Sequence, residues 1–131
     1  MKVIAYGIRP SEKGLLAQAN HKKHEITLIS NPLSAETAFY AQGKEAVIVF
    51  APSGVSGHAL KVLAALGIRF IATRFDGPGP GSPGKGTAAR LGILWANVTV
   101  PSTPGQAPSL EDLQRAAAQT IRQLDDWQLL A

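Results

Sequence analysis

The sequence predicts an α/β fold built on a doubly wound, five-stranded parallel sheet, and three observations carry that prediction. Short apolar runs of strand length recur at regular intervals, at residues 2–6, 25–29, 46–50, 69–73 and 93–97. The runs VIAY, AVIVF and FIAT are rich in Val and Ile and lack polar alternation, the pattern of strands covered on both faces. Between the runs lie segments with helical starts and stops, so strand and helix alternate along the chain.

Each helical segment has its own local signals. Residues 11–20 offer Leu15 and Leu16 behind a Pro-Ser start, and residues 34–41 open SAET, an N-cap serine with Glu36 in the first turn. Residues 56–66 place Leu60, Leu63, Ala64 and Leu66 toward one side, and Gly67 stops them; residues 85–91 form a short helix closed by Gly92. The longest segment, 109–130, has Ser109 as N-cap and Asp112 three residues on, an acidic capping box. Leu110, Leu113, Ala117, Ile121, Leu124 and Trp127 then recur at spacings of three and four, giving one apolar stripe that must bury against the sheet or a partner. Right-handed crossovers favour the flavodoxin-like strand order 2-1-3-4-5, with about five helices.

A chain of 131 residues, 45% hydrophobic and 17% charged, is one globular domain spanning 1–131. The net charge of +4 is modest and its basic residues are spread out, apart from His21-Lys22-Lys23-His24 at the end of the first helix. Cations there favour the helix dipole, so nucleic acid is not an expected partner. With no cysteine there are no disulfides or thiolate metal sites, and no run approaches the ~18 apolar residues of a membrane span. The opening MKVIAYGIRP has too short an apolar run for a signal peptide, and a cytoplasmic chain is expected.

The densest punctuation lies between Arg74 and Thr87, where RFDGPGPGSPGKGT follows the fourth strand. Loops at strand C-termini line the crevice of open α/β sheets, so ligands are expected here. Residues 79–85 match the first seven positions of a P-loop, but Gly86 stands where Ser or Thr must hold magnesium. Prolines 78, 80 and 83 also remove N–H donors that a phosphate cradle needs. Simple anion binding near Lys85 is the more plausible chemistry.

Of three histidines, His21 and His24 read as surface residues without partners, and only His58, opening the third helical segment, faces the crevice. Arg9 and Arg74 follow strands one and four, where either could fork a carboxylate or form a surface salt bridge. No triad order, paired carboxylates or metal-ligand cluster stands out. A receiver domain is excluded by Gly7-Ile8-Arg9 and Ala51-Pro52-Ser53, where acidic residues would be needed, and the first loop lacks a Ser/Thr-rich site for flavin phosphate.

The opening KVIAYGIRPSEKG, the run AVIVF, LAALGIRFIATR and AARLGILWANVTVPS, in that order over residues 1–104, together resemble the substrate domain of the D-2-hydroxyacid dehydrogenases, especially the D-lactate dehydrogenase branch. The resemblance implies a flavodoxin-like domain that the family's chain leaves to form a large NAD-binding domain before returning as a helix. Here residues 109–130 resemble that returning helix, and residues 98–108 are a connector in place of the cofactor domain. The family's catalytic arginine, glutamate and histidine, and its NAD site, belong to the missing portion, so no catalytic residue, cofactor or metal is expected in this chain. Tyr6, Arg9, Phe50, Arg74 and Gly77 match the family, and Phe50 and Gly77 line its substrate side. The family's Gly-Val-Asp-like substrate turn is replaced by Gly77-Pro78-Gly79-Pro80.

The expected crevice is floored by Phe50 and the 51–56 loop, Ser53 included, and roofed by Gly77, Gly79 and Lys85. Arg9, Arg74 and His58 are available for a carboxylate. A stand-alone substrate domain binding a small 2-oxo or 2-hydroxy acid or a protein partner, and pairing with itself through the face the lost domain uncovered, is the leading reading. The alternative is a dehydrogenase completed in trans by a separate NAD-binding subunit.

Overall fold

A computed structural model of the chain describes residues 1–50, 55–76, 85–100 and 109–130. Five strands, β1 (Lys2–Tyr6), β2 (Glu25–Leu28), β3 (Ala46–Val49), β4 (Phe70–Asp76) and β5 (Leu94–Val100), pair in parallel in the order β2-β1-β3-β4-β5. The helices α1 (Pro10–Asn20), α2 (Gly57–Ala65), α3 (Lys85–Arg90) and α4 (Leu110–Gln128), with a 3₁₀ helix at Thr37–Ala41, supply the layers on either side. The expected doubly wound architecture is therefore present.

Side-chain alternation along the strands divides the core in two. Ile4, Tyr6, Val47, Val49 and Ile71 face the 3₁₀ helix and α2, with Leu60 and Leu63 packed on them. Val3, Ala5, Ala46, Ile48, Phe70 and Ala72 face the other way, toward Leu16 of α1 and Ile121, Leu124 and Trp127 of α4. Central β3 is buried at every residue, as its unbroken apolar run requires, whereas edge strand β2 alternates exposed and half-buried positions.

Several expectations need correction. The segment at 34–41 is a 3₁₀ helix over Thr37–Ala41, with Glu36 as its cap residue and not in its first turn. Ser34 and Thr37 exchange backbone-to-hydroxyl bonds, and the Tyr6 hydroxyl donates to the Thr37 carbonyl at 2.7 Å, the group that an α-helix would turn toward Ala41. Burial, with the nearby Tyr40 adding to it, pushes the Tyr6 phenol up to about 12. Strands β4 and β5 run three residues past their expected ends, because Arg74, Phe75 and Asp76 stay in register with Val98, Thr99 and Val100. Residues 98–100 are thus strand, and 101–108 of the expected connector lie outside the described residues.

The basic cluster stands at the end of the first helix, where His21 is the C-cap and its amide donates to the Ala17 carbonyl at 3.2 Å, and His21 and Lys22 take φ of 48° and 61°. The Asn20 side chain holds this left-handed turn by bonding the backbone of His24, from Nδ2 to its carbonyl at 2.8 Å and from its amide to Oδ1 at 3.0 Å. His24 is not a surface residue. Its imidazole is buried against α4, with Nε2 2.7 Å from Asp125 Oδ1. A carboxylate can only accept, so this contact selects the tautomer with its proton on Nε2.

Helix α4 closes the second face of the sheet. The expected capping box is present: Ser109 Oγ accepts from the Asp112 amide, and Asp112 accepts from the Ser109 amide. Of the expected apolar stripe, Ala117, Ile121, Leu124 and Trp127 are buried and Leu113 half-buried, Ala116 and Thr120 join them, and only Leu110, 63% exposed, departs from it. Leu110 precedes the first turn that reaches the sheet. At the other end the Trp127 ring stacks on Phe70 with centroids 5.1 Å apart and planes 17° from parallel.

Removing this anchor should be costly. Trp127→Ala is expected to lose about 3–5 kcal/mol in urea unfolding, from lost transfer and cavity terms, while Leu129→Ala, at an exposed position, stays within about 0.5 kcal/mol. Burial pushes the Asp125 carboxyl up, but the His24 hydrogen bond and the charge and hydrogen bond of Lys23 outweigh it and hold the group below 3.8. A depressed carboxyl stabilises the fold above its ordinary pKa, and that contribution disappears as pH falls through the folded value. Asp125→Asn should therefore lower the urea midpoint at about pH 6, with the difference from wild type closing below about pH 4.

Candidate functional site

The C-terminal edge of the sheet carries a buried charged pair. Phe50 follows β3 directly and extends its ladder, its amide donating to the Tyr6 carbonyl at 3.0 Å. Arg74 sits on adjacent β4, on the sheet face shared with α1. That helix starts at Pro10, whose fixed φ suits a first helical position, and so places Glu12 in the first turn, where its charge complements the dipole.

These elements converge on one buried cluster. Arg74 Nη2 donates to Glu12 Oε1 at 2.7 Å, with the side chains 2% and 7% exposed. The guanidinium carbon stands 5.0 Å from the Phe50 ring centroid, a cation–π contact in a desolvated setting. Arg74 Nε, buried beside them, has no hydrogen-bond partner. Of the two roles open to Arg74 from sequence, a carboxylate fork or a surface salt bridge, the structure gives it a carboxylate, but an internal and buried one.

Phe50 and Arg74 are therefore brought together among the expected site residues. Arg9 is exposed at the N-cap of α1 and makes a contact of its own. His58 is exposed in the first turn of α2, on the opposite layer from Arg74. Lys85 opens the backbone of α3. Ser53, Gly77 and Gly79 lie outside the described residues, as does most of the expected roof.

Glu12 was missed by sequence reasoning. Its acidic first-turn position after Pro10 was visible as a helix start, but nothing local ties it to an arginine 62 residues away. A second polar contact at the same edge joins Thr73 Oγ1 to Asn97 Oδ1 across β4 and β5, with Trp95 Nε1 donating to the same oxygen at 2.8 Å. It lies on the face opposite Arg74, because side chains alternate along β4. Among the described residues no group of three or more His, Cys, Asp or Glu could hold a metal ion, and no helix is long and apolar enough to cross a membrane.

Fold and edge together define an open doubly wound α/β domain whose strand C-termini carry a buried cation against an aromatic ring. No protein-family model matches the chain. It is 33% identical over 103 residues to a D-lactate dehydrogenase of Curvularia clavata, covering 75% of this chain and 29% of that protein. It is also 35% identical over 78 residues to a 2-hydroxyacid dehydrogenase homolog of Zymomonas mobilis, 59% of this chain and 24% of that one. The apo structure of D-lactate dehydrogenase from Escherichia coli superposes with a TM-score of 0.66 and 30% identity, over 78% of this chain and 31% of that chain. Over about 75% of its length the chain is thus a homologue of the D-lactate and D-2-hydroxyacid dehydrogenase family. It spans less than a third of the length of the relatives it matches.

The buried pair makes a specific energetic demand. Glu12→Ala strands the Arg74 charge and should cost about 3–5 kcal/mol in chemical denaturation. The double replacement Glu12→Leu with Arg74→Met removes both charges and is expected to recover most of that loss, a non-additivity that a double-mutant cycle measures directly.

Proposed function

We propose that this domain binds a small 2-oxo or 2-hydroxy acid at the C-terminal edge of its sheet and does not transfer hydride by itself. The observation that carries this reading is the guanidinium of Arg74, two residues before the end of β4, held against the ring of Phe50 that follows β3. A planar cation offers paired donors to a carboxylate, and the adjoining ring suits the short carbon skeleton of such an acid. Homology to D-lactate dehydrogenases supports the same class of ligand.

Hydride transfer needs a bound dinucleotide, a proton donor and a cation placed around one carbonyl. The family's catalytic arginine, glutamate and histidine have no matched positions in this sequence, so binding without turnover is the proposed activity. We place this activity in the cytoplasm, with the chain acting as a homodimer or with a protein partner. Phe39 and Tyr40, at 59% and 56% exposed, are neighbouring apolar side chains that such an interface would cover.

Calorimetric titration of the purified chain with pyruvate, combined with an NADH-oxidation assay, tests the reading. Saturable pyruvate binding without NADH consumption is expected. Turnover by this chain alone would contradict it, and turnover appearing only when a separate NAD-binding subunit is added would establish completion in trans.

A further inference from the structure

We infer that the Glu12–Arg74 pair is a self-occupied carboxylate site, in which Glu12 holds the place of a small monocarboxylate ligand and must yield when that ligand binds. The inference rests on the binding reading above and assigns that binding to one guanidinium edge. It also adds a competitor contained in the fold.

The geometry of the arginine carries the argument. Nε and Nη2 form one edge of a guanidinium, the edge that a carboxylate can bridge with two parallel bonds. Glu12 makes the Nη2 bond at 2.7 Å, yet Nε on the same edge is buried and has no acceptor. It is one of two such side-chain atoms among the described residues, the other being His24 Nδ1. A buried arginine in a purely structural pair is expected to use its donors, because each orphaned N–H forfeits its hydration.

A free carboxylate is not tethered to a helix and can bridge both atoms. Exchange conserves charge at the arginine, since one carboxylate leaves as another arrives. The released Glu12 remains in the first turn of α1, where the helix dipole favours an anion. Phe50 contacts the cation without spending any of its N–H donors, so the ring stays in place through the exchange. The ligand class that fits is a short carboxylate with a compact, uncharged remainder.

The test follows the Arg74 Nε–H resonance in the ¹⁵N-labelled chain during titration with pyruvate, with its neutral methyl ester and sodium chloride as controls. A saturable shift with pyruvate and none with the ester is expected. If Glu12 occupies the edge about nine-tenths of the time, Glu12→Gln should bind pyruvate about tenfold more tightly, since affinity scales with the fraction of open site. Glu12→Asp, which keeps the charge but shortens its reach, should give an intermediate gain and serves if the Gln variant does not fold. Pyruvate binding to wild type with the Arg74 Nε–H unmoved and affinity unchanged in both variants would overturn this inference while leaving the binding reading intact. Pyruvate binding by a variant but not by wild type supports self-occupation, and no response in any of the three proteins overturns both readings.

Discussion

Trp127 laid flat on Phe70 is the contact on which the rest of the domain depends. A parallel sheet exposes two apolar faces, and strands as hydrophobic as β1 and β3 are stable only when both are covered. On one face the 3₁₀ helix, α2 and α3 do this through connections between consecutive strands. On the other, α1 covers only part of the sheet, and the remainder falls to α4, which arrives after the last strand. The stack on Phe70, the flanking Ile121 and Leu124, and the His24–Asp125 contact bring the end of the chain back over its beginning.

This closure bears on the relation to the dehydrogenase family. The match spans less than a third of the homologous relatives, yet the described part of this chain already covers both faces of its sheet. In physical terms the described residues build their own core, which is what the stability of a domain rests on.

The sheet edge shows a different economy. Placing Arg74 and Glu12 out of water costs several kcal/mol per ion before their attraction is counted, and an apolar pair of similar volume would serve stability as well. This pair joins β4 to α1 beside an aromatic ring with one donor unspent, and the proposed carboxylate binding rests on that arrangement. The same edge carries Thr73 and Asn97, hydrogen-bonded to each other, on the opposite face.

Much of the architecture was readable because it rests on short-range chemistry. Apolar runs such as AVIVF mark buried strands, Gly67 and Gly92 take positive φ where helices stop, and Ser109 with Asp112 caps α4 within a single turn. Strand order followed from the handedness of crossovers, which holds for any chain of this alternation. The site was legible only in part. Arg74 and Phe50 could be placed at strand ends, but the partner of Arg74 lies 62 residues earlier on a helix whose rotation the sequence does not specify.

His24 was misread for the same reason, since HKKH looks solvated until Asp125, 101 residues later, is folded against it. The 3₁₀ helix depends on a Tyr6 hydroxyl 31 residues away, and the extra length of β4 and β5 on their pairing with each other. From the chain alone came the elements and their order, because each is set by neighbours in sequence and by the handedness of the crossovers. Which charges are buried, what they face and which donor stays open were settled by packing, because burial and partnership exist only once distant segments meet.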